Sequence, residues 1–381
     1  PGLVAGDARC FFDQDPALLG SGEHDPIHLA LLDGEPDQFP PPEDVVVHRL
    51  GGHGNIVQDA INLRNLVRNL RPSIIVSFLI RANLVSTVVG KITSTPCVIS
   101  ERMHASSHLS EKYIDRPLSR FLARAAMKWI YPHADLCVAV SQGVAEDAIM
   151  TSGVVAQRIV TIGNPVNFDK LVCYGASPPQ LELPQRFHVA VGRLVNAKGY
   201  ETLLDAYAML DDAPPLVILG DGPERDRFIQ RAKSLQIGHR VNFAGYVANP
   251  AAIVARAELF VSASLNEGFP NAMAEAMALA TPVVVTNCPS GPAELLQKET
   301  VDLDDARIYD TGLGLLVPTR NSRLLSDAIR QMMASPERRI EAANKAQESI
   351  RVYSSRNSVD EYWRMIDEVS RASSLAGSYL E

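Results

Sequence analysis

At 381 residues the chain is long for one hydrophobic core, so two domains are expected. Its 46% apolar and 21% charged residues are those of a soluble globular protein, no apolar run is long enough to span a membrane, and five scattered cysteines without metal-ligand or redox spacing favour a reducing cytoplasm over secretion. The net charge of −8 is uneven: Arg49 to Ile130 holds twelve Lys/Arg against four Asp/Glu, so the remainder carries −16, an acidic balance that argues against nucleic acid as the main partner.

Residues 1–42 are rich in Pro, Gly and Asp, and only Ile27–Leu32 reads as a strand there. Val45–Leu50 reads as a strand, Asn55–Leu70 as an amphipathic helix, Ile74–Leu79 as a buried strand, Asn83–Ile92 as a helix and Cys97–Ser100 as a further strand. This alternation predicts a parallel doubly wound sheet, in which ligands sit at the C-terminal ends of the strands. Two polar clusters fall at such ends: Arg81, and Glu101 through His104. Tyr113–Tyr131 then carries Arg116, Arg120, Arg124 and Lys128 at four-residue spacing, which lines one side of a helix. With Phe121, Trp129, Ile130 and Tyr131 beside it, the stripe suits anionic lipid or a lipid pyrophosphate; the plainer alternative is a solvated helix face. Leu136–Val140 and Arg158–Ile162 read as strands around a helix at Gly143–Thr151, and 167–186, with its Gly and Pro, reads as a crossing segment between domains.

The second half opens with a strand at Phe187–Val191, ended by Gly192-Arg193, and a helix beginning at Ala197–Tyr200 and running to Leu210. Lys198 is misplaced at a helix N-terminus, which prefers acids. An anion held by Arg193, Lys198 and the helix start reverses that sign, and a diphosphate suits a planar guanidinium fork beside a point charge. Leu216–Leu219 is a buried strand followed by a tight turn, Gly220 to Gly222, that allows close backbone approach. Val241–Ala244 is the next strand and ends at Gly245-Tyr246-Val247. Leu315–Pro318 reads as the last strand, and Asn321–Ala334, Glu337–Arg351 and Ser358–Ser370 as helices.

Residues 259–294 concentrate the chemistry. Leu259–Ala263 is a strand, Ser264–Gly268 a loop, Pro270–Thr281 a helix and Val283–Thr286 the next strand. Glu267 precedes the helix, and Glu275 is the only charge within it. Since that helix is apolar on every side, Glu275 is expected to be buried and to need a partner or a ligand; the alternative is a thin exposed stripe, with Glu267 a loop charge.

Glu267-Gly-Phe-Pro-Asn-Ala-Met-Ala-Glu275 resembles the E-x7-E signature of the retaining glycosyltransferases of family 4. Val191-Gly-Arg-Leu, Lys198-Gly and Leu219-Gly-Asp-Gly-Pro-Glu224 match the same family in order, and Cys288-Pro-Ser-Gly-Pro-Ala-Glu294 with Ser100-Glu-Arg102 resembles its bacterial members that transfer N-acetylhexosamine from UDP-sugars in polysaccharide or lipid-linked oligosaccharide assembly. The resemblance covers about residues 43–345. It implies an α/β GT-B fold: two Rossmann-like doubly wound domains facing across a cleft, with a C-terminal helix crossing back to the first. The expected boundaries are an acceptor-side domain at 1–166, a linker at 167–186, a nucleotide-sugar domain at 187–352 and a crossover helix at 353–381. Family members open with a strand and a Gly-Gly loop, and neither is found here; Gly20-Ser-Gly22 is a poor candidate, so residues 1–42 are read as diverged or truncated.

By the same resemblance, Glu267 contacts the sugar, Glu275 the ribose, and Gly192, Arg193, Lys198, Gly222, Asn266, Gly268, Phe269, Pro270 and Asn271 surround the donor. Tyr246 and Val247 lie where the base is held; Tyr246 either stacks on it or fills the core. His104 is the candidate beside the transferred sugar, with His108 as competitor. The expected activity is metal-independent, cofactor-free, retaining transfer from a nucleotide-sugar, preferably UDP-linked, to a lipid-linked or polysaccharide acceptor. The enzyme would be cytoplasmic, resting on the inner face of the plasma membrane through the basic helix. The alternatives are a GDP-mannose-dependent mannosyltransferase and a degenerate nucleotide-binding module. A tandem-Rossmann oxidoreductase is disfavoured, because no Gly-x-Gly-x-x-Gly follows a strand with an acid about 20 residues on.

Overall fold

The computed structural model describes residues 2–6, 27–32, 45–52, 54–109, 117–298 and 306–378. They fall into two compact units, Pro1–Pro165 with Ser355–Glu381, and Val166–Ser354.

The sheet of the first unit has the order β3 (Val45–Arg49), β2 (Ile27–Leu31), β1 (Gly2–Gly6), β4 (Ile74–Phe78), β5 (Cys97–Glu101), β6 (Leu136–Ala139) and β7 (Ile159–Thr161), parallel throughout. The missing opening strand is therefore present. Gly2–Gly6 lies in the middle, with Val4 opposite Leu29 on one side and Val76 on the other. It was illegible because only three apolar residues stand between two glycines, which weaken a strand and give no alternation to read. The loop after it, with Gly20 and Gly22, lies outside the described residues.

Alternate residues of each strand serve opposite faces. Ile75, Ile99 and Cys137 pack with Leu63 and Val67 of the helix Ile56–Leu70, with Leu84, Val85 and Val89 of the helix Ile80–Thr93, and with Met127 of the helix Pro117–Ile130. Ile74, Val76, Val98 and Val138 pack on the other face with Tyr362 and Met365. These belong to the C-terminal helix Ser355–Ser378, which covers this sheet as expected of a crossover helix. Burying each such aliphatic side chain contributes about 1.5–3 kcal/mol.

The second sheet repeats the plan: β10 (Val241–Gly245), β9 (Leu216–Leu219), β8 (His188–Val191), β11 (Leu259–Ser262), β12 (Val283–Asn287), β14 (Leu315–Pro318) and β13 (Tyr309–Asp310). All pairs are parallel except β13 with β14. The chain runs outward from β8 to β10 and then returns to place β11 on the other side of β8. A crevice for ligand opens at such a reversal, beyond the carboxyl ends of the two strands.

Two segments differ locally from the sequence reading. The crossing segment at 167–186 contains the helix Phe168–Ala176, capped by Asn167 Oδ1 accepting from the Lys170 N–H at 2.9 Å, with Gly175 packed against Leu279 and Ala255. Its Asn cap and Phe168-Leu171-Val172 spacing were outweighed by the prolines behind it. Secondly, Lys198 does not open a helix. It ends the 3-10 turn Asn196–Lys198, Gly199 turns left-handed at φ 62°, and the helix starts at Tyr200. Its charge is balanced by a side chain and not by the helix dipole.

Candidate functional site

Three loops meet at the carboxyl ends of β8, β9 and β11, and main-chain bonds tie them together. Leu194 N–H donates to Asp221 O (2.9 Å), Glu224 N–H to Leu194 O (3.1 Å) and Leu265 N–H to Ala197 O (2.8 Å). Glycines permit this closeness: a Cβ on Gly222 would lie 2.5 Å from Leu194 O, one on Gly220 2.2 Å from Gly192 O, and one on Gly199 1.9 Å from Ala263 O. Gly192 O in turn accepts from Tyr200 OH at 2.9 Å.

The loops bring Lys198 and Glu267 together. Lys198 Nζ donates to Glu267 Oε1 at 2.6 Å, and Ser264 Oγ donates to the same oxygen at 2.7 Å. Ser262 Oγ is 3.1 Å from Ser264 Oγ. Ser290 Oγ donates to Glu267 O (2.6 Å) and Thr286 Oγ1 to Ser264 O (2.6 Å), so hydroxyls from the β12 end fix the main chain that carries Glu267. Ser262, Ser264, Lys198 and Tyr200 also line a small cavity under the pair. No single-sequence signal marks these hydroxyls, since serines near loops are commonplace; only the fold gathers them.

Arg193 is exposed and makes no ion pair among the described residues. Asn266 Oδ1 is buried without a hydrogen-bond partner among them. Gly268, Phe269 and Pro270 are buried, Phe269 edge-on to Tyr353 with centroids 5.1 Å apart, and Asn271 opens the helix Asn271–Ala278. Glu275 is not buried as expected. Asn271, Ala272 and Glu275 form the partly open strip of a helix whose other residues are buried, so the thin-stripe alternative describes its geometry. Tyr246 is 73% exposed and does not fill the core, and Val247 beside it is half-buried.

In the first unit, the carboxyl end of β5 holds a second polar cluster. The His104 ring is 3.5 Å from Asp147 Oδ1, with Ser107 Oγ 3.3 Å from its Nδ1. Asp147 also accepts from the Ser106 N–H (3.0 Å) and the Ser106 hydroxyl. His108 ends the short helix Ala105–His108. Arg102 donates to Asn164 Oδ1 (2.5 Å) and to Tyr362 OH (3.2 Å). Glu101 is buried and accepts from Tyr131 OH (2.7 Å) and Asn83 Nδ2 (3.0 Å).

Burial pushes the Glu101 carboxyl up to about 7; nearby Asp147 adds to this, while the bonds from Tyr131 and Asn83 oppose it. The unfolded group loses its proton near pH 4.5 and the folded one near 7, so this residue costs stability increasingly as pH rises through that window. Glu101→Gln keeps the acceptor oxygen and removes the titration. Its melting temperature, relative to the parent, is expected to be higher at pH 8 than at pH 5; an equal difference at both values contradicts the assignment.

Of the basic stripe, Arg116 lies outside the described residues, while Arg120, Arg124 and Lys128 lie on the helix Pro117–Ile130. That helix buries Met127 and leaves Leu118, Phe121 and Trp129 at 68%, 68% and 78% exposure. The sequence showed the charges; that large apolar side chains point outward beside them is visible only in the fold.

Two known families match the chain, one described as Glycosyl transferase 4-like domain over residues 18–165, the other as Glycosyl transferases group 1 over 177–349. In sequence the chain is 28% identical over 288 residues to the N-acetylgalactosamine-N,N'-diacetylbacillosaminyl-diphospho-undecaprenol 4-alpha-N-acetylgalactosaminyltransferase of Campylobacter jejuni, covering 75% of this chain and 74% of that one. In structure it is similar to HepE of Anabaena, solved in complex with UDP, at 19% identity, 96% and 99% coverage and a TM-score of 0.73. It is also similar to sucrose-phosphate synthase of Thermosynechococcus elongatus, at 18% identity, 97% and 99% coverage and a TM-score of 0.77. These likenesses give the chain the GT-B fold.

Proposed function

The chain is a glycosyltransferase, with a 4-like domain over residues 18–165 and a group 1 domain over 177–349, and from that premise we propose that it moves a hexose or N-acetylhexosamine from a UDP-sugar to a lipid-linked saccharide, with retention of anomeric configuration. The observation that carries the donor half is the Lys198–Glu267 pair, 2.6 Å apart at the crevice between β8 and β11. In this reading Arg193 and Lys198 take the diphosphate, Glu275 the ribose, Glu267 and Asn266 the sugar, and the exposed Tyr246 ring stacks on the base beside the main chain of Val247. As the bond to the sugar breaks, negative charge grows on the diphosphate. The two cations and the N–H groups at the start of the helix Asn271–Ala278 stabilise it without a metal. His104, its ring fixed by Asp147 and Ser107, is the proposed contact to the transferred sugar from the acceptor side.

The N-acetylhexosamine preference and the lipid-linked acceptor are supported by the C. jejuni relative, and the UDP preference by HepE. The test is nucleotide release by the purified chain from a panel of UDP- and GDP-sugars, with membrane extract as acceptor source. Release from one UDP-sugar supports the reading and names the donor. A response to GDP-mannose alone makes the chain a mannosyltransferase, and UDP binding without release from any donor makes it a binding module.

In the same reading the first unit rests against anionic lipid. The helices Ile56–Leu70, Ile80–Thr93 and Pro117–Ile130 bury their inner faces in one cluster. Val57, Ile61, Ile92, Leu118, Phe121 and Trp129 are exposed on them. Together the three helices carry seven Lys/Arg and one acid, Asp59, which is buried and 3.3 Å from Arg81. No described helix is long and apolar enough to cross a membrane, so the contact would be interfacial. Sedimentation with phosphatidylglycerol vesicles is expected to carry the chain down, less so as salt rises. A Phe121→Glu, Trp129→Glu double variant should bind about tenfold more weakly or worse. Equal binding to neutral vesicles, or no effect of the double variant, contradicts this surface.

A further inference from the structure

We propose that Lys198 changes partner during the reaction cycle: it is held by Glu267 in the free site and passes to the diphosphate when the donor binds, which frees Glu267 for the sugar. The inference rests on the donor reading above. In the structure the Lys198 ammonium is spent on Glu267, and Glu267 Oε1 is filled by Lys198 and Ser264 together. Each group thus blocks the other from the role assigned to it. The pair is partly exposed, with side chains at 28% and 12%. It will hold until something with more charge and more acceptor oxygens than one carboxylate competes, and a diphosphate does.

The surroundings allow an ammonium to move while the carboxylate stays. Lys198 has a flexible four-carbon stem. Its loop is fixed to the neighbouring one by Leu265 N–H donating to Ala197 O, so neither main chain need shift. Glu267 retains Ser264 Oγ on its carboxylate and Ser290 Oγ on its main chain, and Ser264 is itself fixed by Thr286. The acceptor position that Lys198 vacates becomes the place for a sugar hydroxyl. Two consequences follow: diphosphate contact precedes sugar contact, and a free sugar finds Glu267 occupied.

The test is a thermodynamic cycle read by calorimetry, with UDP as the probe and GDP as a second. Glu267→Gln preserves shape, and melting curves confirm that each variant is folded. Releasing Lys198 from its competitor should tighten UDP binding about fivefold, the worth of a partly exposed ion pair. The gain should vanish when Glu267→Gln is made in a Lys198→Ala background. UDP binding that is unchanged or weaker in Glu267→Gln overturns the exchange. So does a gain that persists without Lys198, which would report simple repulsion between carboxylate and phosphate. A parent protein that binds neither UDP nor GDP refutes the donor reading itself, an outcome separate from both.

Discussion

Lys198→Ala is expected to lower kcat by about 10²–10³, the usual cost of removing one preorganised group from developing transition-state charge. The expectation comes from position. Lys198 stands on the loop after β8, tied to the loop that carries Glu267. It leaves Arg193 and the start of the helix Asn271–Ala278 as the remaining positive features of the crevice. The same substitution should barely alter folding, because a partly exposed pair contributes about 1 kcal/mol or less. Steady-state rates with a cognate donor, alongside melting curves, separate the two effects. Lys198→Arg should recover only part of the rate, since a planar fork cannot replace a point charge on the same stem. A loss below tenfold for Lys198→Ala would remove it from the catalytic machinery.

Gly199→Ala should damage the fold and the site together. Gly199 has a φ of 62°, where an L side chain costs about 1–2 kcal/mol, and its Cβ would lie 1.9 Å from Ala263 O. That oxygen is main chain and cannot rotate away, so either the β8 or the β11 loop must move. The expected cost is about 3 kcal/mol or more, lowering the melting temperature of this unit by roughly 6–12 °C, and activity should fall because Lys198 and Ser264 are displaced from Glu267. Gly245→Ala is the control. Its φ is 75°, yet nothing lies within 4 Å of an added Cβ. It should therefore bear only the backbone cost, roughly 2–4 °C for about 1 kcal/mol. Equal effects at both positions would mean that close packing of the two loops is not what Gly199 provides.

Legibility in the sequence followed the length and purity of each apolar signal. Leu216–Leu219 and Leu315–Pro318 were read to the residue because each is a short apolar run between breakers. Gly2–Gly6 was missed because its glycines hide a central strand, and the helix Phe168–Ala176 because prolines behind it read as linker. At the site, Glu267 was singled out by its resemblance to a family signature, and Arg193 and Lys198 as cations at an apparent helix start; the structure brings Lys198 to Glu267, yet the environment of Lys198 was misjudged, because one glycine turns the chain and moves the helix start past it. Glu275 was judged buried from composition, whereas helix geometry places it on the open strip. The hydroxyls of Ser264, Thr286 and Ser290 could not be found at all. They converge through tertiary packing across 22 and 23 residues of chain, and periodicity carries no trace of that.

In the proposed reading the crevice between β8 and β11 holds the donor nucleotide. A crystal structure of the chain with UDP tests it most directly. The diphosphate is expected in contact with Arg193, Lys198 and the N–H groups at the start of the helix Asn271–Ala278, with the ribose on Glu275 and the base beside Tyr246. UDP bound elsewhere, or lying in the crevice with its diphosphate away from both cations, would contradict it.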